Sequence, residues 1–276
     1  KADAAGSGGS GGDSGEDDGV RKRGKFSSEF ALSDGSRALV PYRNSKLTYL
    51  LRDSLGTGST GVKLTDGTLA MCIESNKHYH DSSTWYQKAV FFHSGDRGQT
   101  WGEPLVAGQD PEARIFYWDM RAAVAPDGRV GTFIWTYDRQ TSKYLNIHRK
   151  ISEDGARTWG DKVDLGFADQ AAHPAVLSDG RVVLGWVDRF GSRSIRAREA
   201  PNLDAPFDES SEVEIYVHPP AGESEGSHGD TGELLEDMSL WSFGLPFLET
   251  LHDGDVLAVY YAGTESAMDV HWARLT

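Results

Sequence analysis

Ser94-Gly-Asp-Arg-Gly-Gln-Thr-Trp101 and Ser152-Glu-Asp-Gly-Ala-Arg-Thr-Trp159 are the two stretches that decide the fold. Both follow the Asp-box pattern Ser-x-Asp-x-Gly-x-Thr-Trp, except that Ala156 stands at the Gly position of the second stretch. A carboxylate and hydroxyls spaced in this way can hydrogen-bond the backbone of a tight turn, and the Trp can bury a large ring between neighbouring sheets. Asp96 and Asp154 are therefore predicted to be turn-makers and not catalytic acids.

An Asp-Gly pair flanked by alternating apolar residues occurs four times around these stretches. The turn aspartates lie 61, 52 and 74 residues apart, and they are Asp66, Asp127, Asp179 and Asp253. Asp-Gly between such residues is the strongest short hairpin signal, because glycine adopts a positive φ without steric cost. The separations are near the length of one four-stranded blade. We therefore expect an all-β chain with about four recognisable β-propeller blades, the last lengthened by an insertion at 219–235.

Composition excludes several kinds of partner. The net charge of −14 disfavours non-specific attraction to nucleic acid or anionic lipid, since those partners need a basic face, and the sequence has no run of about 18 apolar residues that could cross a bilayer. The N-terminus lacks the apolar stretch of a secretory signal, and no localisation is predicted. The single cysteine, Cys72, lies in an apolar strand-like run and reads as a core thiol. No cofactor is predicted.

The chain divides into three zones of different composition. Residues 1–28 are rich in Gly, Ser and Asp and end near a short basic patch, so they have too little apolar surface to offset the entropy of ordering. We expect a disordered arm there, a helical segment over 29–56 and the propeller over 57–276.

The middle zone carries apolar residues at helical spacing. One face of a helix would hold Leu47, Leu50, Leu51 and Leu55, with Asn44 or Ser45 as the cap and Gly56 at the end. The stretch from Phe30 to Gly35 is expected to close an earlier helix.

This zone resembles a known motor protein over a short length. The microtubule-contacting segment near the end of the kinesin motor domain is similar to Val40-Pro-Tyr-Arg-Asn-Ser-Lys-Leu-Thr-Tyr-Leu-Leu-Arg-Asp-Ser-Leu-Gly56. The helix end that precedes this segment in kinesins resembles Ala31-Leu-Ser-Asp-Gly35. A motor also needs a Gly-x-x-x-x-Gly-Lys-Ser/Thr phosphate loop and switch loops, which the sequence lacks. Motor activity is therefore excluded for this chain, and a microtubule is not an expected partner.

The Asp-boxes and hairpins together resemble the sialidase (neuraminidase) superfamily of BNR-repeat propellers over about 215 residues. The likeness is to bacterial-type exo-α-sialidase-like proteins in particular. Phe116-Tyr-Trp-Asp-Met-Arg121 and Trp241-Ser-Phe-Gly-Leu-Pro246 add to it. Sialidase propellers have six blades, so the resemblance implies that the four blades belong to a six-bladed ring.

Candidate site residues follow from position in such a ring. Residues that start the innermost strand of each blade converge on the central funnel. Those just before the hairpins are Trp118, Asp119, Arg121, His173, Trp241 and Phe243. Those just beyond the inner strands include Glu74, Asp138, Arg139, Asp188, Arg189, Tyr261 and Glu265. The pairs Asp138-Arg139 and Asp188-Arg189 recur at equivalent places, and a salt bridge at the rim is the competing interpretation for both.

The resemblance also implies a division of roles. Sialidases clamp the sialic carboxylate with three arginines, attack the anomeric carbon with a Tyr assisted by a Glu, and use an Asp as acid/base. Guanidinium groups suit the clamp because they make bidentate, permanently charged contacts. The implied catalytic set is Asp119, Tyr261 and Glu265. The implied substrate contacts are Arg121, Trp118, His173, Arg139, Arg189, Asp188 and Trp241.

The sequence departs from the family in two places. The Arg-Ile-Pro segment that supplies the first clamp arginine is absent, and so is a clear early catalytic Asp. A metal site is a further alternative, since His78 and His80 with Asp81 would share a strand face, but no third ligand is defined and a surface loop is favoured.

Three functions remain open. The first is a glycoside hydrolase, active or formerly active, on terminal sialic acid or a related acidic sugar of glycoconjugates. The second is a non-catalytic propeller that binds carbohydrate or protein at the funnel rim, which the missing motifs favour. The third is a fragment of a kinesin-related microtubule-binding protein without ATPase activity.

Overall fold

The computed structural model of the chain describes residues 27–31, 37–41, 60–75, 84–168, 170–219, 241–264 and 267–276. This part is all-β and contains no helix. Nor does it hold any helix with the length and apolar composition to span a bilayer. The predicted helix at 45–55 lies outside the described residues, as does most of the predicted arm.

Five antiparallel sheets make up this part of the chain. The N-terminal hairpin pairs β1 (Ser27–Ala31) with β2 (Arg37–Pro41). The first blade contains β3 (Thr60–Lys63), β4 (Leu69–Ser75), β5 (Lys88–Ser94) and β6 (Leu105–Gln109). The second contains β7 (Ile115–Val124), β8 (Val130–Asp138), β9 (Lys143–Ser152) and β10 (Val163–Asp164). The third contains β11 (Ala172–Val176), β12 (Val182–Asp188), β13 (Ser194–Ala200) and β14 (Asp208–Val217). The fourth contains β15 (Phe243–Thr250), β16 (Val256–Thr264) and β17 (Ala267–Leu275).

The four blades have the arrangement of a β-propeller. In each blade the strands follow one another in chain order, and the first strand of one blade contacts the first strand of the next: β7 touches β3 and β11, and β11 touches β15. All four predicted Asp-Gly turns join the first two strands of a blade. The hairpin prediction is confirmed, because the turn chemistry and the period-2 apolar pattern specify the same register.

Apolar side chains fill the space between adjacent blades. Phe133 and Trp135 of the second blade pack with Leu184 and Trp186 of the third. Cys72 lies in the equivalent cluster between the first and second blades, where it is fully buried as predicted and its thiol donates to the carbonyl of Met120.

The turns at 94–101 and 152–159 have the hydrogen bonds predicted from their sequence. Asp96 accepts from the Thr100 amide and the Ser94 hydroxyl, both at 2.8 Å, and Asp154 accepts the same two bonds from Thr158 and Ser152. Hydrogen bonds from Thr100 lower the pKa of Asp96 to about 2. An acid with so low a pKa holds a turn and cannot donate a proton near neutrality.

The two turn tryptophans pack differently. Trp159 lies 5.1 Å from the ring of Phe91, so it joins the second blade to the first as predicted. Trp101 packs on Met71 and Phe92 of its own blade, and no second sheet covers it within the described residues.

One local prediction was wrong. Phe30 and Ala31 do not close a helix, because they are the last residues of strand β1 and pair with Ala38 and Arg37. An Asp-Gly pair, Asp34-Gly35, lies between β1 and β2. The hairpin signal that located the four blades was present here too, and it is stronger than the short apolar spacing that suggested a helix.

Candidate functional site

The candidate site lies at the end of the blades where the inner strands β7, β11 and β15 begin and where β4, β12 and β16 end. The Asp-Gly turns lie at the opposite end. Six side chains from all four blades define the site: Glu74, Asp119, Arg121, His173, Arg189 and Tyr261.

A bulge in β7 sets the position of Asp119. The register with β8 shifts between Trp118 and Arg121, and Asp119 has a φ of 45°. Its backbone N–H donates a hydrogen bond to Oε1 of the buried Glu74 in the first blade. Bulges and left-handed residues of this kind redirect side chains and persist where their surroundings hold them in place. The Glu74 carboxylate is therefore the anchor that orients Asp119.

Arg121 is a buried cation beside Asp119. Its side chain is almost completely buried, and its Nη2 donates to Oδ1 of Asp119 at 3.2 Å. The guanidinium lies 5.0 Å from the ring centroid of Phe247 in the fourth blade, a cation–π distance. Nη1 is buried and has no hydrogen-bond partner among the described residues. Since a buried donor left unpaired costs free energy, this nitrogen is suited to a ligand oxygen or a water.

Arg189 joins the third and fourth blades. Its Nε donates to Oε1 of Gln170 at 2.8 Å, and its Nη2 donates to the carbonyl of Phe243 at 2.6 Å. The guanidinium lies 4.2 Å from the ring centroid of Trp241. These contacts fix a second positive charge in the site.

Tyr261 connects the two arginine clusters. Burial raises the pKa of its hydroxyl, while the charge of Arg189 and a hydrogen bond with it lower that pKa, and the charge of Asp119 raises it. The hydroxyl thus lies within the fields of Arg189 and Asp119, which come from different blades.

Gly244 permits this arrangement. It has a φ of +147°, and a Cβ at this position would lie 2.7 Å from Nη2 of Arg189 and 3.1 Å from the Tyr261 hydroxyl. Only glycine allows the backbone to come this close to both side chains.

His173 is a neutral member of the site. Its Nδ1 accepts a hydrogen bond from the Leu248 amide at 3.2 Å, and its ring lies 4.8 Å from that of Phe247. Burial, with the positive charge of Arg121, lowers the pKa of His173 to about 3. The imidazole is therefore uncharged near neutral pH, and with Nδ1 as acceptor its proton is on Nε2.

The structure separates some predicted residues from this group. Trp118 is buried in the core, stacked on Tyr137 at 5.2 Å. Asp188 accepts from the Ser192 amide and hydroxyl at 2.8 and 2.6 Å, so it closes a turn. Arg139 is exposed and lies 5.0 Å from the Phe116 ring. Glu265, His78, His80 and Asp81 lie outside the described residues.

Neither Asp-Arg pair is a salt bridge between its own two members. Asp138 pairs with Arg114, whose Nε donates at 3.0 Å, and Arg189 turns inward, away from the loop that Asp188 closes. The repeated Asp-Arg pair therefore marks two equivalent loops. Only the second loop contributes a cation, Arg189, to the site.

Two contributing residues were not predicted from the sequence. Gln170 and Phe247 support Arg189 and Arg121 respectively. Gln170 precedes an inner strand, so the rule used for the other residues would have found it. Phe247 had no such signal, since it contacts Arg121 only through the packing of blades that are far apart in sequence. Within the described ranges, no cluster of three His, Cys, Asp or Glu side chains could hold a metal ion.

Solved structures share this fold. A protein of unknown function from Dyadobacter fermentans matches with a TM-score of 0.56 and 21% identity, over 78% of this chain and 52% of its own. The intramolecular trans-sialidase from Ruminococcus gnavus matches with a TM-score of 0.50 and 15% identity, over 78% of this chain and 42% of its own. The α-L-arabinanase from Penicillium chrysogenum matches with a TM-score of 0.53 and 13% identity, over 90% of this chain and 80% of its own.

These likenesses establish the fold and nothing finer. The described part of the chain is a four-bladed portion of a β-propeller, an architecture it shares with a sialidase-type enzyme and an arabinanase. It spans about half of the Dyadobacter protein and about two fifths of the trans-sialidase. No protein-family model and no curated protein matches the sequence.

Proposed function

We propose that this chain is a sialidase-like glycoside hydrolase that acts on terminal sialic acid or a related acidic sugar of glycoconjugates. The observation that carries the proposal is the hydrogen bond of the Tyr261 hydroxyl with Arg189, within the electric field of Asp119. Asp119 in turn pairs with the buried Arg121, whose Nη1 has no hydrogen-bond partner among the described residues. A hydroxyl, a carboxylate and two cations from three different blades meet at one end of the propeller. The glycosidases among the similar structures are consistent with this class of activity.

The proposed roles follow from the chemistry of each group. Arg121 and Arg189 supply the positive field for a sugar carboxylate, since guanidinium groups keep their charge when buried. Tyr261 attacks the anomeric carbon and forms a glycosyl–enzyme intermediate that water then hydrolyses. Asp119 gives its proton to the leaving oxygen and later takes one from the water. Glu265 is the base proposed to assist Tyr261.

A non-catalytic carbohydrate-binding propeller is the second candidate. Burial raises the pKa of Tyr261 and thus favours the protonated hydroxyl, a weak nucleophile. Arg189 already donates to Gln170 and Phe243, which suits a fixed recognition surface.

Release of a fluorogenic sialoside separates the two candidates. We expect the wild-type chain to release the fluorophore and Tyr261→Phe to reduce kcat at least about 100-fold, because the nucleophile is lost. Tyr86→Phe is the matched control, since Tyr86 is exposed and is not one of the six side chains that define the site. If the wild type binds sialosides but releases no fluorophore, the binding propeller is correct and the hydrolase is rejected.

A further inference from the structure

A cleft of about 530 Å³ lies between the second and third blades, at the opposite end of the propeller from the candidate site. Its lining comes from β9, from the segment at 151–163 and from Asp204 in the loop between β13 and β14. Ser152 at the end of β9 pairs with Val130, which follows an Asp-Gly turn, so the cleft lies at the end of the blades that carries those turns. Ligand sites in proteins commonly have volumes of about 300 to 1,000 Å³.

The buried Arg149 fixes the wall that the third blade contributes. Its Nη1 donates to the carbonyl of Ala205 and its Nη2 to the carbonyl of Asp204, both at 2.6 Å. Leu203 of the same loop packs so closely on Gly131 of the second blade that a Cβ on this glycine would lie 2.6 Å from it. The cleft is therefore formed before any ligand enters, which lowers the entropic cost of binding.

Two buried donors of the lining lack acceptors. Nε of Arg149 and Nε1 of Trp159 have no hydrogen-bond partner in the described part of the chain. Trp101, the counterpart of Trp159 in the first Asp-box turn, donates from its Nε1 to the carbonyl of Gly98 at 3.0 Å. A ligand with carbonyl or hydroxyl oxygens would supply the acceptor that is missing in the second turn.

The charges of the lining favour a cationic ligand. The lining holds three carboxylates and one guanidinium, so it repels an anion. Asp204 is paired with Arg129. The carboxylates of Glu153 and Asp161 are exposed, and neither forms a hydrogen bond or an ion pair with the residues that the structure describes.

We propose that this cleft binds a lysine side chain of a partner peptide. Its ammonium would reach Glu153 and Asp161, and its carbon stem would cover the apolar surface of Ile151 and Val163. The peptide carbonyls would serve as acceptors for the unpaired donors. Lysine fits better than arginine, because a compact ammonium with three donors can be shared by two separate carboxylates, whereas a planar guanidinium matches a single bidentate one.

A titration followed by NMR tests the proposal with the peptide acetyl-Gly-Gly-Lys-Gly-Gly-amide. The reference peptide carries norleucine in place of lysine, which keeps the carbon stem and removes the ammonium. We expect the lysine peptide to shift the indole N–H resonance of Trp159, assigned from its absence in Trp159→Phe. It should also bind at least about tenfold more tightly than the norleucine peptide, because only its ammonium makes charge-assisted hydrogen bonds.

The double variant Glu153→Gln/Asp161→Asn should remove the preference for lysine, because the ammonium loses both carboxylates. Glu112→Gln is the matched control: it makes the same change at an exposed residue just before β7, at the other end of the blades, and should leave the affinity unchanged. Thermal unfolding verifies that each variant is folded. Sialoside binding should be the same in the double variant and the wild type, so this proposal is tested separately from the proposed function.

Four results would overturn the proposal. The first is equal affinity for the lysine and norleucine peptides. The second is a loss of affinity in Glu112→Gln as large as in the double variant, which would indicate general attraction to an acidic chain. The third is binding that leaves the Trp159 indole resonance unshifted, which would place the peptide elsewhere. The last is tighter binding of the corresponding arginine peptide.

Discussion

Gly244 is the residue on which the arrangement of the proposed site most depends. Gly244→Ala would place a methyl group 2.7 Å from Nη2 of Arg189 and 3.1 Å from the Tyr261 hydroxyl. We expect the Arg189–Tyr261 contact to be displaced and the affinity for a sialoside to fall at least about tenfold, the equivalent of one lost hydrogen bond of about 1.4 kcal/mol. Isothermal titration calorimetry measures the change.

The control for this substitution is Gly95→Ala. A Cβ on Gly95 meets no atom within 4 Å, so the same chemical change there should leave affinity unaltered. If Gly244→Ala binds as tightly as the wild type, the contact of Tyr261 with Arg189 is not part of the binding site.

His173 should make stability depend on pH. Its folded-state pKa of about 3 lies below the unfolded value of about 6.5, so only the unfolded chain takes up this proton as the pH falls below 6.5. The folded state is thereby destabilised by about 2 kcal/mol between pH 6.5 and pH 5. Urea unfolding should show that His173→Asn, which retains an acceptor for the Leu248 amide, loses about 2 kcal/mol less than the wild type over this interval.

His252→Asn is the control for the pH experiment, because His252 is exposed in a hairpin turn. It should lose as much stability on acidification as the wild type does. Equal acid sensitivity of His173→Asn and the wild type would show that the imidazole is not held neutral by burial.

Sequence position predicted several members of the candidate site but not their partners. Asp119, Arg121, His173, Arg189 and Tyr261 were found because the ends of inner strands converge in a propeller. Trp118 satisfied the same rule and lies in the core, since successive strand residues point to opposite faces and the bulge after it reverses the alternation. Such a bulge has no sequence signature here, so the prediction could not distinguish Trp118 from Asp119.

The turn at 152–159 is one of the elements that join the first two blades. Trp159 packs on Phe91 across the boundary between them, while its backbone belongs to the turn that Asp154 organises. Trp159→Ala should therefore lower the free energy of unfolding by about 3 kcal/mol without changing the chemistry of the site. Chemical denaturation measures the effect.

Tyr86→Ala is the control for Trp159→Ala, since it removes an aromatic ring that is half exposed. We expect it to cost less than about 1 kcal/mol. A fully stable Trp159→Ala with selective loss of sugar binding would place Trp159 in the ligand site and contradict its structural role.

Strands were predicted correctly where the local sequence signal for a hairpin was strong. Hairpins with Asp-Gly turns were predicted correctly in all four blades, because turn chemistry and apolar alternation agree there. The pairing of β1 with β2 was missed because a few apolar residues at helical spacing were given more weight than Asp34-Gly35. The outer strand β14 carries exposed charged residues, and its register with β13 shifts twice. Its sequence therefore lacks the alternation of apolar and polar residues that would predict a strand.

Across the whole molecule, the proposed site is a local exception to the overall charge. The chain carries a net charge of −14, which repels an acidic sugar at long range. The proposed binding of an acidic sugar therefore depends on the short-range field of Arg121 and Arg189, which lie in different blades and are linked through Asp119 and Tyr261. The array of blades, and not any single motif, places both cations at one end of the propeller, and for this reason no linear pattern identifies the proposed ligand.

The central claim is that an acidic sugar binds at the end of the propeller where the inner strands begin. Calorimetric titration with sialyllactose, with lactose as the uncharged reference sugar, tests this claim. We expect the wild type to bind sialyllactose and not lactose, and Arg121→Gln to weaken binding about 10- to 150-fold, because a charge-assisted hydrogen bond contributes about 1.5 to 3 kcal/mol. Arg139→Gln, which removes an exposed guanidinium near Phe116, should change affinity less than about twofold. Equal binding of sialyllactose and lactose, or an Arg121→Gln variant that binds like the wild type, would contradict the account.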